Sequence, residues 1–348
     1  MQLRRTKMRL SRQIKEALFR AGFFAAIRKS VPNQHIAILR YHAVVEPEDN
    51  FYASPGICLS KDNFARHVQY FAAKYHVVSL NDVIESLKKG KSLPTNAVVF
   101  TFDDGYADNY FAYEILKQYG AGATFYLTAA CIDRKEPFWL FEVTYLPLFS
   151  SKTELSVMVD GREHHFTLTD RRQRLQTTRE LVRIIKSNNL KVRESVRTQL
   201  RDQLADERFR QMAEKVMLTW DQVREMQSNG MLFGAHTLTH LNLPNADPED
   251  AKREIEGSKH LIEERLGKPV AHFSYPNSGP YQYYTPAVRE LVQQARYDSA
   301  VTSFPGFVQP GDDLLALHRV RTVPSLAETV AEIELGKLKR LYRKSMLK

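Results

Sequence analysis

Two short stretches hold most of the residues that could do chemistry. The first is Thr101-Phe102-Asp103-Asp104-Gly105, at the end of an apolar run over 97–102. Adjacent carboxylates at the mouth of such a run are costly unless a cation or a proton neutralises part of their charge. Neighbouring residues project differently, so one carboxylate can hold a metal while the other faces water or substrate. The plain alternative is a turn that caps a following helix at 108–119. The second stretch is Gly234-Ala235-His236-Thr237-Leu238-Thr239-His240, also at the end of a strand-like run. Two histidines four apart share a face if the segment is helical, which is the spacing of an imidazole clamp. One carboxylate and two imidazoles leave open positions on a zinc-like ion, the pattern of a catalytic rather than a structural site. His164 and His165 are weaker candidates, because adjacent residues of a strand point to opposite faces and cannot share one metal. The two cysteines, Cys58 and Cys131, are too far apart to act as a CxxC pair, so neither a disulfide framework nor a thiolate zinc site is expected.

The elements that must position these residues alternate. Short β-branched and aromatic runs at 35–41, 75–79, 97–102, 122–127, 231–235, 270–275, 297–302 and 314–318 are separated by helical stretches such as 62–74, 108–119, 220–229, 248–266 and 285–295. This predicts an α/β domain over 35–325 with a largely parallel sheet, and eight strand candidates favour a barrel over an open sheet. Both chemical stretches then fall at C-terminal strand ends, the face where barrel enzymes place their sites. No GxGxxG or Walker-type loop follows a strand, so nucleotide binding has no support. The rhythm breaks over 133–219, which reads as an insertion. It holds a hairpin, 154–159 and 162–168, around the turn Asp160-Gly161, and then a charged helical stretch over 170–215.

The chain has 348 residues, 43% of them apolar and 26% charged, the balance of a globular protein, and no apolar run is long enough to span a bilayer. Its net charge of +10 is uneven. Residues 1–30 carry nine Lys or Arg against Glu16, and 336–348 carry six with no acid, so everything between is slightly acidic. Over 1–34, Leu10, Ile14, Ala17, Leu18, Ala21 and Phe24 recur at helical spacing with Arg9, Arg12 and Arg20 between them. Such a basic amphipathic helix lies on an anionic membrane with Phe23 and Phe24 as anchors, or packs on the domain with its arginines outward. Both readings stand, and 326–348 reads as a second basic helix or tail. No secretory signal core is present, so the expected location is cytoplasmic, with peripheral contact at the inner membrane face. Nucleic acid is not an expected partner, because the basic residues flank the fold without a recognition motif.

The two chemical stretches, in this order, resemble the motifs of the polysaccharide deacetylases, the NodB-homology group or carbohydrate esterase family 4. The resemblance spans roughly 35–325 apart from the insertion. It implies an irregular (β/α) barrel and a metal-dependent hydrolase that removes N-acetyl groups from an amino-sugar polysaccharide or its lipid-linked precursor. Carried onto these positions, Asp103 is the general base, and Asp104, His236 and His240 hold a divalent metal, usually zinc. Leu39-Arg40-Tyr41-His42 resembles the front-placed Tyr-His motif of poly-N-acetylglucosamine deacetylases, which implies His42 as the acid and Leu39 in the acetyl pocket. His318, in Leu315-Ala316-Leu317-His318, is a second candidate acid. Relatives with an early Tyr-His, however, end their late strand in a Leu-x-Arg-type segment similar to Leu317-His318-Arg319. The stretch Phe273 to Gly279 stands where relatives have an Arg-x-x-Tyr-Pro-like loop, which implies Tyr275, Pro276 and Asn277 as a wall of the groove with a backbone N–H for the oxyanion. No arginine occupies the expected place, so the arginine that orients the base is absent or comes from elsewhere. That departure keeps a second function class in view, a degenerate barrel that binds sugar without turnover.

Overall fold

Seven runs of β-branched, aromatic and small residues form strands: β1 (Ala37–Tyr41), β2 (Ala97–Phe102), β3 (Ala123–Leu127), β4 (Leu232–Ala235), β5 (His272–Ser274), β6 (Ser299–Pro305) and β7 (Leu317–Arg321). Every residue of β2 and β3 is buried, as expected of parallel strands covered on both sides. The computed structural model describes residues 2–31, 35–133, 139–279 and 281–346, and for 2–10, 55 and 339–346 the backbone alone. All pairings in the sheet are parallel, in the order β1-β7-β6-β5-β4-β3-β2, and β1 pairs with β2 to close the ring. The fold is the expected (β/α) barrel, with seven staves rather than eight. The segment expected as a strand at 75–79 pairs with the start of β2 only through His76 and Val77. Ser79 then caps the helix Leu80–Lys89 with a reciprocal capping box, which ends the extended stretch.

That helix closes the N-terminal end of the barrel. Its Leu80, Val83 and Ile84 pack with Ile36, Ile38, Val99 and Leu317 in one cluster, while Leu39 and Tyr41 belong to the larger core between the barrel and its outer helices. The alternation along β1 therefore turns Ile38 inward and Leu39 outward. Gly234 on β4 is required by close approach: an added Cβ would sit 2.6 Å from the Tyr126 ring and 2.7 Å from the His272 carbonyl oxygen. Gly234→Ala is expected to cost about 1–3 kcal/mol, read as a lower urea midpoint with an unchanged slope.

Residues between β3 and β4 include the helix Trp139–Phe149, an antiparallel hairpin of Glu154–Val159 with Arg162–Thr167, and the helices Arg171–Lys186, Leu190–Leu204 and Glu207–Ala213. Buried Glu142 ties the helix Trp139–Phe149 to Leu190–Leu204 by accepting from Arg197 (2.5 Å) and Arg201 (2.8 Å). His165 is exposed and bonded to Ser156 Oγ (2.7 Å), and neither it nor His164 joins a metal-type cluster among the described residues.

The N-terminal helix Gln2–Arg20 packs on the C-terminal helix Leu326–Met346. Glu16 accepts from Ser325 Oγ (2.7 Å), and Lys15 lies 3.8 Å from Glu328. Phe24, expected as a membrane anchor, is 1% exposed in the core, whereas Phe23 is 43% exposed. Two of the basic residues are likewise interior. Arg28 donates to Tyr70 OH (2.9 Å), and Lys337 pairs with Glu334 (2.7 Å) and Asn96 (2.8 Å). The side chains of Arg4, Arg5, Lys7, Arg9, Lys339, Arg340, Arg343 and Lys344 lie outside the described residues.

Candidate active site

The strand ends carry the chemistry. Asp103 and Asp104 follow β2, His236 follows β4, and His42 follows β1. Backbone bonds continue the strands into the site, with Asp103 N–H donating to Tyr41 O (3.1 Å) and His236 N–H to Leu127 O (2.9 Å). Asp104 then takes a left-handed conformation (φ 78°), followed by Gly105 (φ 81°), which turns the second carboxylate off the strand path. Thr237 (φ 66°), His240 (φ 58°) and Asn277 (φ 74°) share that conformation, as do Asn96, Asp160 and Arg296 elsewhere in the chain. The segment 236–240 is not helical. A turn brings the histidines together, with Thr237 Oγ accepting the His240 N–H at 2.9 Å, and their rings end 5.0 Å apart.

Asp104, His236 and His240 are buried, and one ligand atom from each lies within 4.8 Å of the others. Both histidine Nε2 atoms face Asp104 Oδ1 at 3.4 Å, and that oxygen has no hydrogen-bond donor. His236 Nδ1 lies 2.7 Å from Ser274 O, so Nδ1 carries the proton and the Nε2 lone pair points at the carboxylate. Converging lone pairs around an orphaned buried oxygen fit a divalent cation, and the nitrogen–oxygen donor set suits zinc.

Asp103 belongs to a different network. Arg319 from β7 grips it with two parallel bonds, Nη1 to Oδ1 (2.8 Å) and Nη2 to Oδ2 (2.7 Å), and Ser274 Oγ adds a third at 3.2 Å. Burial raises the cost of ionising Asp103, yet Arg319 and His236 outweigh it, and the carboxyl is held well below its ordinary value. Arg319 answers the sequence departure beside Tyr275: the arginine comes from a strand 45 residues past Ser274, which it also contacts at 3.2 Å. Arg319→Met leaves a buried carboxylate without its cation and is expected to cost about 3–5 kcal/mol in urea unfolding. Arg319→Lys keeps the charge but loses the bidentate grip, and a kcat lowered by about 100-fold with an intact fold is the expected result.

His42 Nε2 lies 3.7 Å from Asp103 Oδ2, and its side chain is 16% exposed against 3% for the aspartate. Burial pushes His42 down to about 4, against the pull of Asp104 and Asp103, so the ring is neutral at pH 7. Its backbone is fixed by Asn109 Nδ2, which donates to His42 O (2.8 Å) and to buried Asp108 (2.9 Å). Asp108 also accepts from Val44 N–H (2.9 Å) and Tyr52 OH. His318 is not brought to Asp103. It lies on the opposite side of β7 from Arg319, packed on Gly306 and the Phe304 ring.

Other expectations change. Leu39 is fully buried in the outer core, so Leu39 does not line a pocket at this site, and it is Arg40 that shares the barrel's inner face with Ile38. Tyr275 lies inside the wall rather than on the groove, fully buried with its hydroxyl donating to Leu315 O (2.9 Å). Pro276 is buried, and Asn277 is half-buried, its carbonyl accepting from Ser303 Oγ (3.0 Å). Sequence reasoning missed Ser274, which links Asp103 to His236, and it missed what the inserted segment does. Trp139 Nε1 donates to His240 O (3.1 Å), and Arg193 donates to Thr239 O (3.1 Å) and Oγ1 (2.7 Å). Thr239 in turn donates its N–H to Glu254 (2.8 Å). A basic amphipathic helix gives no local sign that one of its arginines holds a histidine loop.

The family model for polysaccharide deacetylase matches residues 90–300, more than half of the chain. The chain belongs to the polysaccharide deacetylase family. The match covers Asp103, Asp104, His236 and His240, while His42 and Arg319 lie outside it. The Bacillus subtilis protein YxkH is 22% identical over 294 residues, 84% of this chain and 73% of that protein. Among solved structures, the Streptococcus pyogenes deacetylase PplD in complex with acetate superposes with a TM-score of 0.57 at 22% identity, covering 87% of this chain and 98% of its own. IcaB from Ammonifex degensii gives 0.55 at 17% identity, with 88% and 98% covered. These likenesses carry the barrel fold, and the family carries polysaccharide deacetylation.

Proposed function

We propose that this deacetylase removes N-acetyl groups from an amino-sugar polysaccharide or its lipid-linked precursor, using a divalent ion, zinc first, held by Asp104, His236 and His240. The observation that carries this reading is the convergence of those three buried ligand atoms beside the Asp103–His42 pair at the barrel mouth. The ion, when bound, supplies a water of lowered pKa and a Lewis acid for the acetamide carbonyl.

The chain's own residues handle the protons. Asp103, ionised and fixed by Arg319, accepts a proton from the attacking water at Oδ2, the oxygen nearer His42. Neutral His42 takes that proton at Nε2 and, being the more exposed partner, delivers it to the departing amine, which otherwise leaves poorly. A backbone N–H at Asn277 is the proposed oxyanion donor, held in a left-handed turn. Arg319 also removes the feature that favoured a sugar-binding module without turnover, since the base does have its orienting arginine.

Acetate release from N-acetylglucosamine oligomers tests the reading. Release that stops with a chelator and returns with zinc supports it; release indifferent to chelator and metal overturns the metal-dependent mechanism. A peripheral membrane placement at the cytoplasmic face is also proposed, supported by the clustered charge of the two termini and the exposure of Phe23. Recovery of the protein entirely in the soluble fraction at low salt would count against that placement.

A further inference from the structure

Among the described residues, two cations beside the site have no carboxylate partner. Lys186 ends the helix Arg171–Lys186, and its carbonyl is pinned by the side-chain amides of Asn242 (2.8 Å) and Asn245 (2.7 Å), just past His240. Its Nζ lies 5.9 Å from the ring centre of Trp139, the residue bonded to His240 O, and 5.2 Å from that of Tyr281. Arg40 sits on β1, two residues before His42, and faces the barrel mouth, where its charge interacts with Asp103 and is opposed by Arg319 and Arg321. Both side chains are half-buried, and among the described residues no carboxylate lies within 4.0 Å of either cationic group.

Most other buried cations of this protein are paired with carboxylates, Arg193 with Glu194, Arg197 with Glu142, Arg319 with Asp103 and Lys337 with Glu334, while Arg28 is held by Tyr70 and Tyr75 instead. Desolvating an ammonium or guanidinium without a partner is costly, and an anion arriving with a ligand offsets the cost. The local balance points the same way. Asp103 and Asp104 face three cationic side chains, Arg319, Arg40 and Lys186, before any divalent ion is counted. Resting on the deacetylase reading above, we infer that Arg40 and Lys186 read an anionic group, a carboxylate or a phosphate, carried by the substrate near the acetamido sugar. The inserted segment thereby contributes to substrate choice as well as to the histidine loop.

The test uses the full-length, zinc-loaded protein and three probes: a neutral N-acetylglucosamine oligomer, an oligomer alternating N-acetylglucosamine with glucuronate, and UDP-N-acetylglucosamine as a soluble diphosphate-linked sugar. One charged probe is expected to exceed the neutral oligomer in kcat/KM by about 10-fold or more, the scale of one hydrogen bond to a charged group. The glucuronate and diphosphate arms separate a charge on the polymer from a charge on its carrier. Lys186→Met and Arg40→Met should each lower the charged-to-neutral ratio about 10-fold, mainly through KM, with Lys186→Arg keeping most of it. A ratio that neither methionine variant moves, in protein with an unchanged melting curve, overturns the inference, as does a neutral oligomer that remains the best probe. If no probe releases acetate, the deacetylase reading fails on its own, and equilibrium binding of the charged probes to Asp103→Asn protein decides the inference. Affinity weakened by an added Lys186→Met change supports it, and equal affinity overturns it.

Discussion

Asp103→Asn is expected to keep the fold and the divalent ion and to lose about 10²–10⁴-fold in kcat, the contribution of a positioned general base. The ion should stay because Asp103 is not turned toward Asp104 and the histidines. Its two oxygens are occupied by Arg319 at 2.8 and 2.7 Å and by Ser274 at 3.2 Å. Turnover should fall because asparagine has the right shape and no basic oxygen. Arg319 loses its counter-charge in the process, so some stability goes as well, and a melting curve recorded beside the kinetics separates the two effects. Metal content measured on the purified variant is the decisive readout. A variant that loses its ion with its activity would make Asp103 a ligand and reverse the roles given to the two adjacent aspartates.

The sequence made the chemistry legible at its strand ends and less so in the supports. Asp103, Asp104, His236 and His240 stand out because carboxylate and imidazole groups at the ends of apolar runs have few innocuous explanations, and the fold does gather the last three at one point. The barrel was legible for the same reason, since parallel strands covered on both sides read as continuous apolar runs. What failed depended on geometry that spacing does not encode. The HxxxH pattern suggested a helix, but the residues between the histidines adopt a turn with Thr237 and His240 in left-handed conformations. Leu39 was expected in the acetyl pocket, but one step along a strand reverses the face, so Leu39 points into the outer core. Arg319 was visible as a residue in a Leu-x-Arg segment, yet its partner lies 216 positions away in the chain, and only barrel closure through β1 brings β7 near β2. Trp139 and Arg193 act on the histidine loop from a segment whose amphipathic pattern says only that it packs.

His236→Ala tests the other half of the site, and its expected result is loss of both ion and turnover. Of the three proposed ligands, His236 is firmly oriented by the protein. Its Nδ1–H is held by Ser274 O at 2.7 Å, and the same serine contacts Asp103. Removing the ring leaves one carboxylate and one imidazole, one protein ligand fewer than the three that hold a catalytic zinc ion. Loss of a mere outer-shell partner costs about 10–100-fold in metal affinity, so loss of a ligand should exceed that range. Linkage gives a readout independent of activity. An ion at 100 times its Kd stabilises the folded state by about 2.7 kcal/mol, so added zinc should raise the melting temperature of the native sequence and leave that of His236→Ala in place. His164→Ala, on the exposed hairpin, should keep the full zinc response. A zinc-induced shift retained by His236→Ala would remove the ion from this triad, and with it the mechanism built on Asp103 and His42.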